Sequence, residues 1–211
     1  MSRQNWLVVM SKAPRLGRVK TRLAKDIGAV EALRFYRTNT RALLARLGGD
    51  PRWQTVIAVA PDTSLDETGF WPDHLPRVPQ GEGDLGARMD NMMRAMPPGR
   101  VVLIGCDIPA LTAAHVADAF KVLGSHDAVF GPADDGGYWL VGLSRTRKTE
   151  SIFGQVRWSS EHALRDTMKN LGGKRVALLE TLLDIDTGAD LARWNETRQN
   201  LVHLNETRKG G

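Results

Sequence analysis

The sequence predicts an α/β protein with a central sheet covered on both faces, and three observations lead there. Short apolar runs recur along the 211 residues, each bounded by Gly, Pro or Asp, as buried strands are. Longer amphipathic stretches of helical period alternate with them, the pattern of layered α/β folds. No repeat, low-complexity tract or Pro/Gly/Ser-rich linker interrupts the alternation, so a single domain over residues 1–211 is expected. A chain of this length can bury a substantial core without disulfides or structural metals.

Each element follows from its own residues. WLVVMS (6–11) reads as a buried strand running into a Pro/Gly loop. Residues 29–47 read as a helix with Val30, Leu33, Tyr36, Leu43, Leu44 and Leu47 on one face, stopped by Gly48-Gly49. TVIAVA (55–60) is a second strand, and the Pro-rich stretch 63–80 is expected to be loop. Asp84 caps a helix through 96, in which Leu85, Met89, Met92, Met93 and Met96 form a stripe assigned to core packing. VVLIG (101–105) is the clearest buried strand, and Thr112 caps a helix to about 123. DAVFG (127–131) and YWLVGL (138–143) are strands, 159–171 is helical, VALL (176–179) is a late strand, and a last helix starts near 188.

Composition excludes several functional classes. The one cysteine, Cys106, rules out an internal disulfide or a Cys-rich zinc site and reads as a small core residue. The five histidines never fall at metal-ligand spacing, which speaks against a nitrogen- or sulfur-held transition metal. No apolar run approaches the ~20 residues of a membrane span, and the N-terminus lacks the pattern of a signal peptide, so a cytoplasmic protein is expected. The net charge of +5 is localised. Residues 12–25 hold Lys12, Arg15, Arg18, Lys20, Arg22 and Lys25 without an acid, leaving 23 basic against 24 acidic residues elsewhere. Nucleic-acid binders spread positive charge over a face, so one short basic segment suits a small anionic ligand better.

That segment, KAPRLGRVKTRL (12–23), follows the first strand and leads into a helix. Ligands of open α/β sheets sit beyond the carboxyl ends of the strands. There Gly17 lets backbone amides approach an anion, and Lys12, Lys20 and Arg22 are candidates to neutralise a diphosphate. The segment matches neither the Walker loop nor G-x-G-x-x-G, and a solvated basic loop is its structural alternative. Gly105-Cys106-Asp107-Ile108-Pro109 follows the clearest strand. A carboxylate at a buried strand end needs a partner, and a divalent cation is one; an Asx-turn before Pro109 is the other reading.

Three further segments remain open. ADDGGYW (133–139) is a strong hairpin signal, yet the two acids Asp134 and Asp135 beside an aromatic pair also suit contact with sugar hydroxyls or general-base work. Asp184-Ile185-Asp186-Thr187 has the D-x-D form of a metal-binding pair, and Asp186 or Thr187 also suits a helix cap. Gln80, ahead of a Gly-rich turn, suits the edge of a nucleobase, and Trp158 suits either the site mouth or the core.

Taken together these motifs resemble a bacterial family of the glycosyltransferase-A superfamily, known as a domain of unknown function. Some of its members are associated with arsenosugar biosynthesis as glycosyltransferases. The resemblance runs from KAPRLGRVKTRL through QGEGDLGARM (80–89), GCDIP (105–109), GPADDGGYWLVGL (131–143) and VRWSSEHAL (156–164) to DIDTGADL (184–191). It implies a three-layer nucleotide-diphospho-sugar transferase fold with a mostly parallel sheet. It also implies Asp107 and Asp186 as ligands of Mg²⁺ or Mn²⁺, Lys12, Lys20 and Arg22 on the phosphate side, and Gln80 at the base. Asp135, Gly136, Tyr138 and Trp158 fall on the sugar or acceptor side. GCDIP stands where Gly-Ser-Asp-Cys-Pro is more familiar, and Trp-Ser-Ser where Trp-Gly-Thr or Trp-Ser-Thr is.

The expected activity is transfer from a nucleotide-sugar to a small-molecule acceptor, with no nucleic-acid partner. The alternative is a nucleotidyltransferase that joins a nucleoside triphosphate to a phosphorylated small molecule and releases pyrophosphate. The basic Lys-Thr-Arg-Leu loop, which resembles that of phospholactate guanylyltransferases, suits this second reaction. The six tryptophans leave room for an apolar contact surface, without fixing an oligomeric state.

Overall fold

Seven strands form one sheet in the computed structural model, which describes residues 4–145 and 150–209. In chain order the elements are β1 (Asn5–Lys12), α1 (Leu23–Ile27), α2 (Ala29–Leu47), β2 (Gln54–Ala60), β3 (Arg77–Pro79), α3 (Leu85–Ala95) and β4 (Arg100–Ile104). They continue with α4 (Ala113–Val122), β5 (Ala128–Pro132), β6 (Tyr138–Ser144), α5 (Ala163–Lys169), β7 (Val176–Leu178) and α6 (Gly188–Lys209). The strand order is β3-β2-β1-β4-β6-β5-β7. Strand β6 pairs antiparallel with both β4 and β5, and every other pairing is parallel. This is the expected α/β sandwich with a mostly parallel sheet.

Strand periodicity builds the two cores. Leu7, Val9, Ile57, Val59, Val102 and Ile104 face a cluster that includes Tyr36, Leu43, Leu44 and Leu47 of α2 and Val116, Ala119 and Phe120 of α4. Their neighbours Val8, Val56, Ala58, Val101 and Leu103 face the opposite cluster, filled by Met89, Met92 and Met93 of α3, Met96 just beyond it, and packed against Leu164 and Met168 of α5. Successive strand residues point to opposite faces, so runs that look uniformly apolar feed both layers. A third cluster joins Leu23, Ala32 and Ile185, with Leu191 and Trp194 of α6 packed against it.

Local chemistry sets the helix starts. Asp84 Oδ1 accepts from the Ala87 amide at 2.8 Å, capping α3. Thr112 and His115 form a reciprocal capping box on α4. At α6, Asp190 Oδ2 accepts from both the amide and hydroxyl of Thr187, and Thr187 Oγ1 accepts from the Asp190 amide.

The structure departs from the sequence reading in five places. A short 3-10 turn (Asp62–Ser64) overlaps the start of the stretch 63–80, which also contains edge strand β3, hidden in the sequence because Pro76 precedes it and Pro79 is its last residue. Helix α5 is limited to Ala163–Lys169, since the residues before it are turns. Val30, expected on the buried face of α2, is 67% exposed at the first turn of that helix. Leu85 heads the Met stripe but is 49% exposed and borders a cavity. Trp53, Trp71 and Trp139 are buried and Trp6, Trp158 and Trp194 partly so, which spends the tryptophans largely on the interior.

Candidate functional site

Strand β1 is flanked by β2 on one side and β4 on the other, the point at which an open α/β sheet leaves a crevice at its carboxyl edge. A cavity of about 630 Å³ lies there. The end of β1, the loop 18–22, the turn after β4, the start of β6 and the segment 184–186 all border it.

The end of β1 is held from α2. The buried Tyr36 hydroxyl donates to the Lys12 carbonyl and accepts from the Lys12 amide, both at 2.8 Å. Burial raises the Tyr36 phenol above its ordinary range, which keeps it protonated. The turn after β4 is anchored in the same way, with the Asn39 amide donating to the Cys106 carbonyl at 2.5 Å. Two elements of one helix therefore position Lys12 and Asp107. The Cys106 thiol packs inward against the Met10 carbonyl, and burial pushes it up to about 12, so it is a core residue as expected.

The alternation of Asp184-Ile185-Asp186 brings in the C-terminal segment. Ile185 is fully buried against Leu23 and Ala32, and its amide donates to the Asp107 carbonyl at 3.4 Å. In an extended segment its two neighbours must point the other way, and both border the cavity. Thr187 supplies the cap of α6, which leaves the Asp186 carboxylate to the cavity. Asp134 braces the arrangement: it accepts from the Asp184 amide at 3.3 Å and pairs with Arg193 at 3.0 Å.

Three carboxylates converge as a result. Lys20 Nζ lies 3.1 Å from Asp107 Oδ1, 3.4 Å from Asp184 Oδ1 and 3.5 Å from Asp186 Oδ1. Arg22 reaches Asp186 Oδ2 at 2.8 Å. Burial works against the Lys20 ammonium, but the three carboxylates outweigh it and raise its pKa. Burial pushes the Asp184 acid above the ordinary carboxylate range; Lys20 opposes this, while Asp107, Asp186 and Asp135 reinforce it. The sequence reading named Asp184 only as half of the D-x-D pair and carried Asp186 alone forward as a site residue, although a two-residue period puts both on the same side.

Other residues read from the sequence fall as follows. Gln80 is buried beneath the cavity, its Nε2 donating to the Ala58 carbonyl at 2.8 Å and the Ser11 carbonyl at 3.3 Å. Asp135 forms the turn between β5 and β6, accepting from the Gly137 amide at 2.8 Å, and is exposed at the cavity. The hairpin and the site are thus the same residues. Tyr138 and Trp158 pack edge to face at the cavity wall, the Tyr138 hydroxyl reaching Thr167 at 3.4 Å. Trp158 lies flat against Gly86 of α3, where an added Cβ would meet the indole at 2.7 Å.

Three assignments need correction. Lys20 does not present a free ammonium to phosphates, because the three carboxylates hold it. Gly17 takes a left-handed φ of +71° in an exposed turn and does not border the cavity; Arg18, next to it, does. Gly136 does not border the cavity either. Its φ is +84° and a Cβ there would collide with the Glu161 backbone, so this glycine packs the hairpin onto the segment before α5. Arg18 and Arg88 are cavity-lining cations the sequence reading passed over.

The carboxylate oxygens are hard donors of the kind that Mg²⁺ and Mn²⁺ accept. As folded, however, the cluster does not fit such an ion, because the Lys20 ammonium fills the point of convergence. Among the described residues, no group of three or more His, Cys, Asp or Glu is arranged to hold a metal ion.

No curated protein matches the chain. A candidate nucleotide-diphospho-sugar transferase from Desulfovibrio desulfuricans G20 is 29% identical, covers 95% of this chain and 89% of its own, and superposes with a TM-score of 0.81. Rv0371c from Mycobacterium tuberculosis H37Rv, in a complex with manganese, is 20% identical over 92% of this chain and 98% of its own, with a TM-score of 0.55. Molybdopterin-guanine dinucleotide biosynthesis protein A from Archaeoglobus fulgidus is 15% identical over 92% and 99%, with a TM-score of 0.54. The last two likenesses show the fold alone; with the first, that fold is nucleotide-diphospho-sugar transferase-like. Residues 43–160, more than half of the sequence, match the family described as uncharacterized protein conserved in bacteria (DUF2064), and the chain belongs to that family.

Proposed function

We propose that this chain is a transferase that takes a nucleotide-diphospho-sugar as donor and a small molecule as acceptor. One observation carries the reading: a cavity at the sheet's carboxyl edge has exposed cations, Lys12, Arg18 and Arg22, beside a cluster of carboxylates at Asp107, Asp184 and Asp186. The cations suit the diphosphate, and the fixed Gln80 amide suits the base. The wall of Tyr138 and Trp158, with Asp135 at its rim, suits the sugar and acceptor. Burial keeps Tyr138 a neutral phenol, raising its pKa against the opposing hydrogen bond with Thr167, so it offers a hydrogen bond rather than a charge. Asp135 is the candidate for acceptor contact or proton removal. A divalent cation on Asp107 and Asp186, expected from the sequence, is not part of this reading, since Lys20 and Arg22 already neutralise those carboxylates.

Thermal stabilisation by nucleotides and nucleotide-sugars, with and without Mg²⁺ or Mn²⁺, tests this, since a ligand that binds the native state alone raises stability by mass action. Stabilisation by one diphosphate-sugar is expected, and Asp107→Ala should lower turnover of that donor by at least about tenfold. Unchanged turnover in the variant would sink the role of Asp107. The cation-rich loop also favours a second reading, a nucleotidyltransferase acting on a triphosphate. Stabilisation by a nucleoside triphosphate, with pyrophosphate released in the presence of an acceptor, would select it.

A further inference from the structure

Asp107, Asp184 and Asp186 come from two segments, the turn after β4 and the stretch before α6, yet their carboxylates meet at one point. Like charges so placed repel one another, and they would repel a diphosphate in the same cavity. The point is held by the Lys20 ammonium, within 3.5 Å of an oxygen from each carboxylate and on a side chain only 4% exposed. Lys20 comes from a third segment, the loop after β1. Its backbone takes a left-handed φ of +46°, a conformation a non-glycine residue keeps when its surroundings impose it. Arg22 of the same loop takes the second oxygen of Asp186 at 2.8 Å. Lys12 and Arg18, exposed at the cavity, are left for an incoming anion.

We propose that Lys20 is the resident counter-ion of this cluster, standing where the sequence predicts a divalent cation. It fastens the loop after β1, the turn after β4 and the segment 184–186 into one wall, and that wall binds a nucleoside diphosphate without a metal ion. This rests on the nucleotide-binding reading above. The contacts of Lys20 are with carboxylates, so it is a positioning residue, and the phosphates fall to Lys12 and Arg18. Taking the ammonium away leaves three acids facing one another, and removing one partner of a buried ion pair is costly for that reason. The wall then loosens and turns against an anion.

Calorimetric titration of the EDTA-treated wild-type chain with UDP, GDP, CDP, ADP and dTDP, repeated with Mg²⁺ and with Mn²⁺, tests this first. At least one diphosphate should bind without metal, with a Kd that either ion changes by less than about threefold. A double-mutant cycle then separates holding the carboxylates from touching the phosphates. In EDTA, Lys20→Met should weaken binding of that diphosphate by at least about tenfold; in an Asp184→Asn background, with one acid fewer to neutralise, its cost should be at least about threefold smaller. Acetic anhydride labelling of the folded wild type needs no variant: Lys20 should stay protected with and without the diphosphate, while Lys12 is labelled and then shielded by it. If a diphosphate binds only with Mg²⁺ or Mn²⁺, if Lys20→Met costs the same in both backgrounds, or if native Lys20 is labelled as fast as Lys12, the counter-ion role is wrong and the nucleotide reading stands. If none of the five diphosphates binds under any condition, the nucleotide reading fails and this inference fails with it.

Discussion

Asn39 does for Asp107 what Tyr36 does for Lys12: a buried polar group on α2 fixes a backbone turn, and the turn aims a side chain at the cavity. Replacing Asn39 with Ala removes the donor and leaves the Cys106 carbonyl unsatisfied in the interior, a cost of about 1–3 kcal/mol. Urea denaturation should show that loss, and nucleotide binding should weaken because Asp107 is no longer held. Cys106 gives a pH prediction at the same scale. Its thiol rises from 9.0 to about 12 on folding, mainly through burial. The native state therefore keeps a proton that the unfolded chain releases, and this thiol's contribution to stability falls as pH climbs from 9 towards 12. At pH 8 a thiol reagent should leave the native protein unmodified and react once it is denatured; rapid labelling of the native chain would contradict the burial.

Among the elements, the β5–β6 hairpin and the segment 184–186 decide whether the cavity has a floor. Gly136 holds a left-handed turn against the backbone of Glu161. Gly136→Ala meets both the φ penalty and the collision, and a loss of about 2 kcal/mol or more is expected by thermal or urea unfolding. A neutral outcome would mean that the hairpin can move away from residue 161. Ile185 pins the other segment. Truncating this fully buried side chain to Ala should cost about 2–5 kcal/mol and loosen Asp184 and Asp186 together. Calorimetry gives the first effect, and loss of nucleotide binding in the folded variant gives the second.

The whole molecule concentrates its positive charge where the sheet opens. Lys12, Arg18 and Arg22 are exposed at the cavity, so their attraction for a nucleoside diphosphate is screened by salt. Raising NaCl from about 0.05 to about 0.5 M shortens the screening length several-fold and should weaken UDP binding markedly by calorimetry. Salt-independent binding would point instead to apolar contacts at Tyr138 and Trp158. This charge distribution is visible in the sequence, because six bases within residues 12–25 need no partner from elsewhere to be noticed.

The sequence by itself determined the alternation of strands and helices, the caps at Asp84 and Thr112, the Met stripe of α3, and the approach of Asp107 to a strand end. Each depends on neighbours within one turn or one strand, and local periodicity records it. Tertiary structure alone decided the rest. Edge strand β3 exists because β2 supplies its hydrogen-bond partners, which no proline-rich stretch reveals. Lys20 and Asp184 stand 164 residues apart, and the basic loop around Lys20 reads alone as a phosphate site. Its ammonium was claimed by carboxylates delivered by the turn after β4 and by the burial of Ile185. Electrostatic partners separated this far in the chain are chosen by packing, and packing is what the linear pattern does not contain.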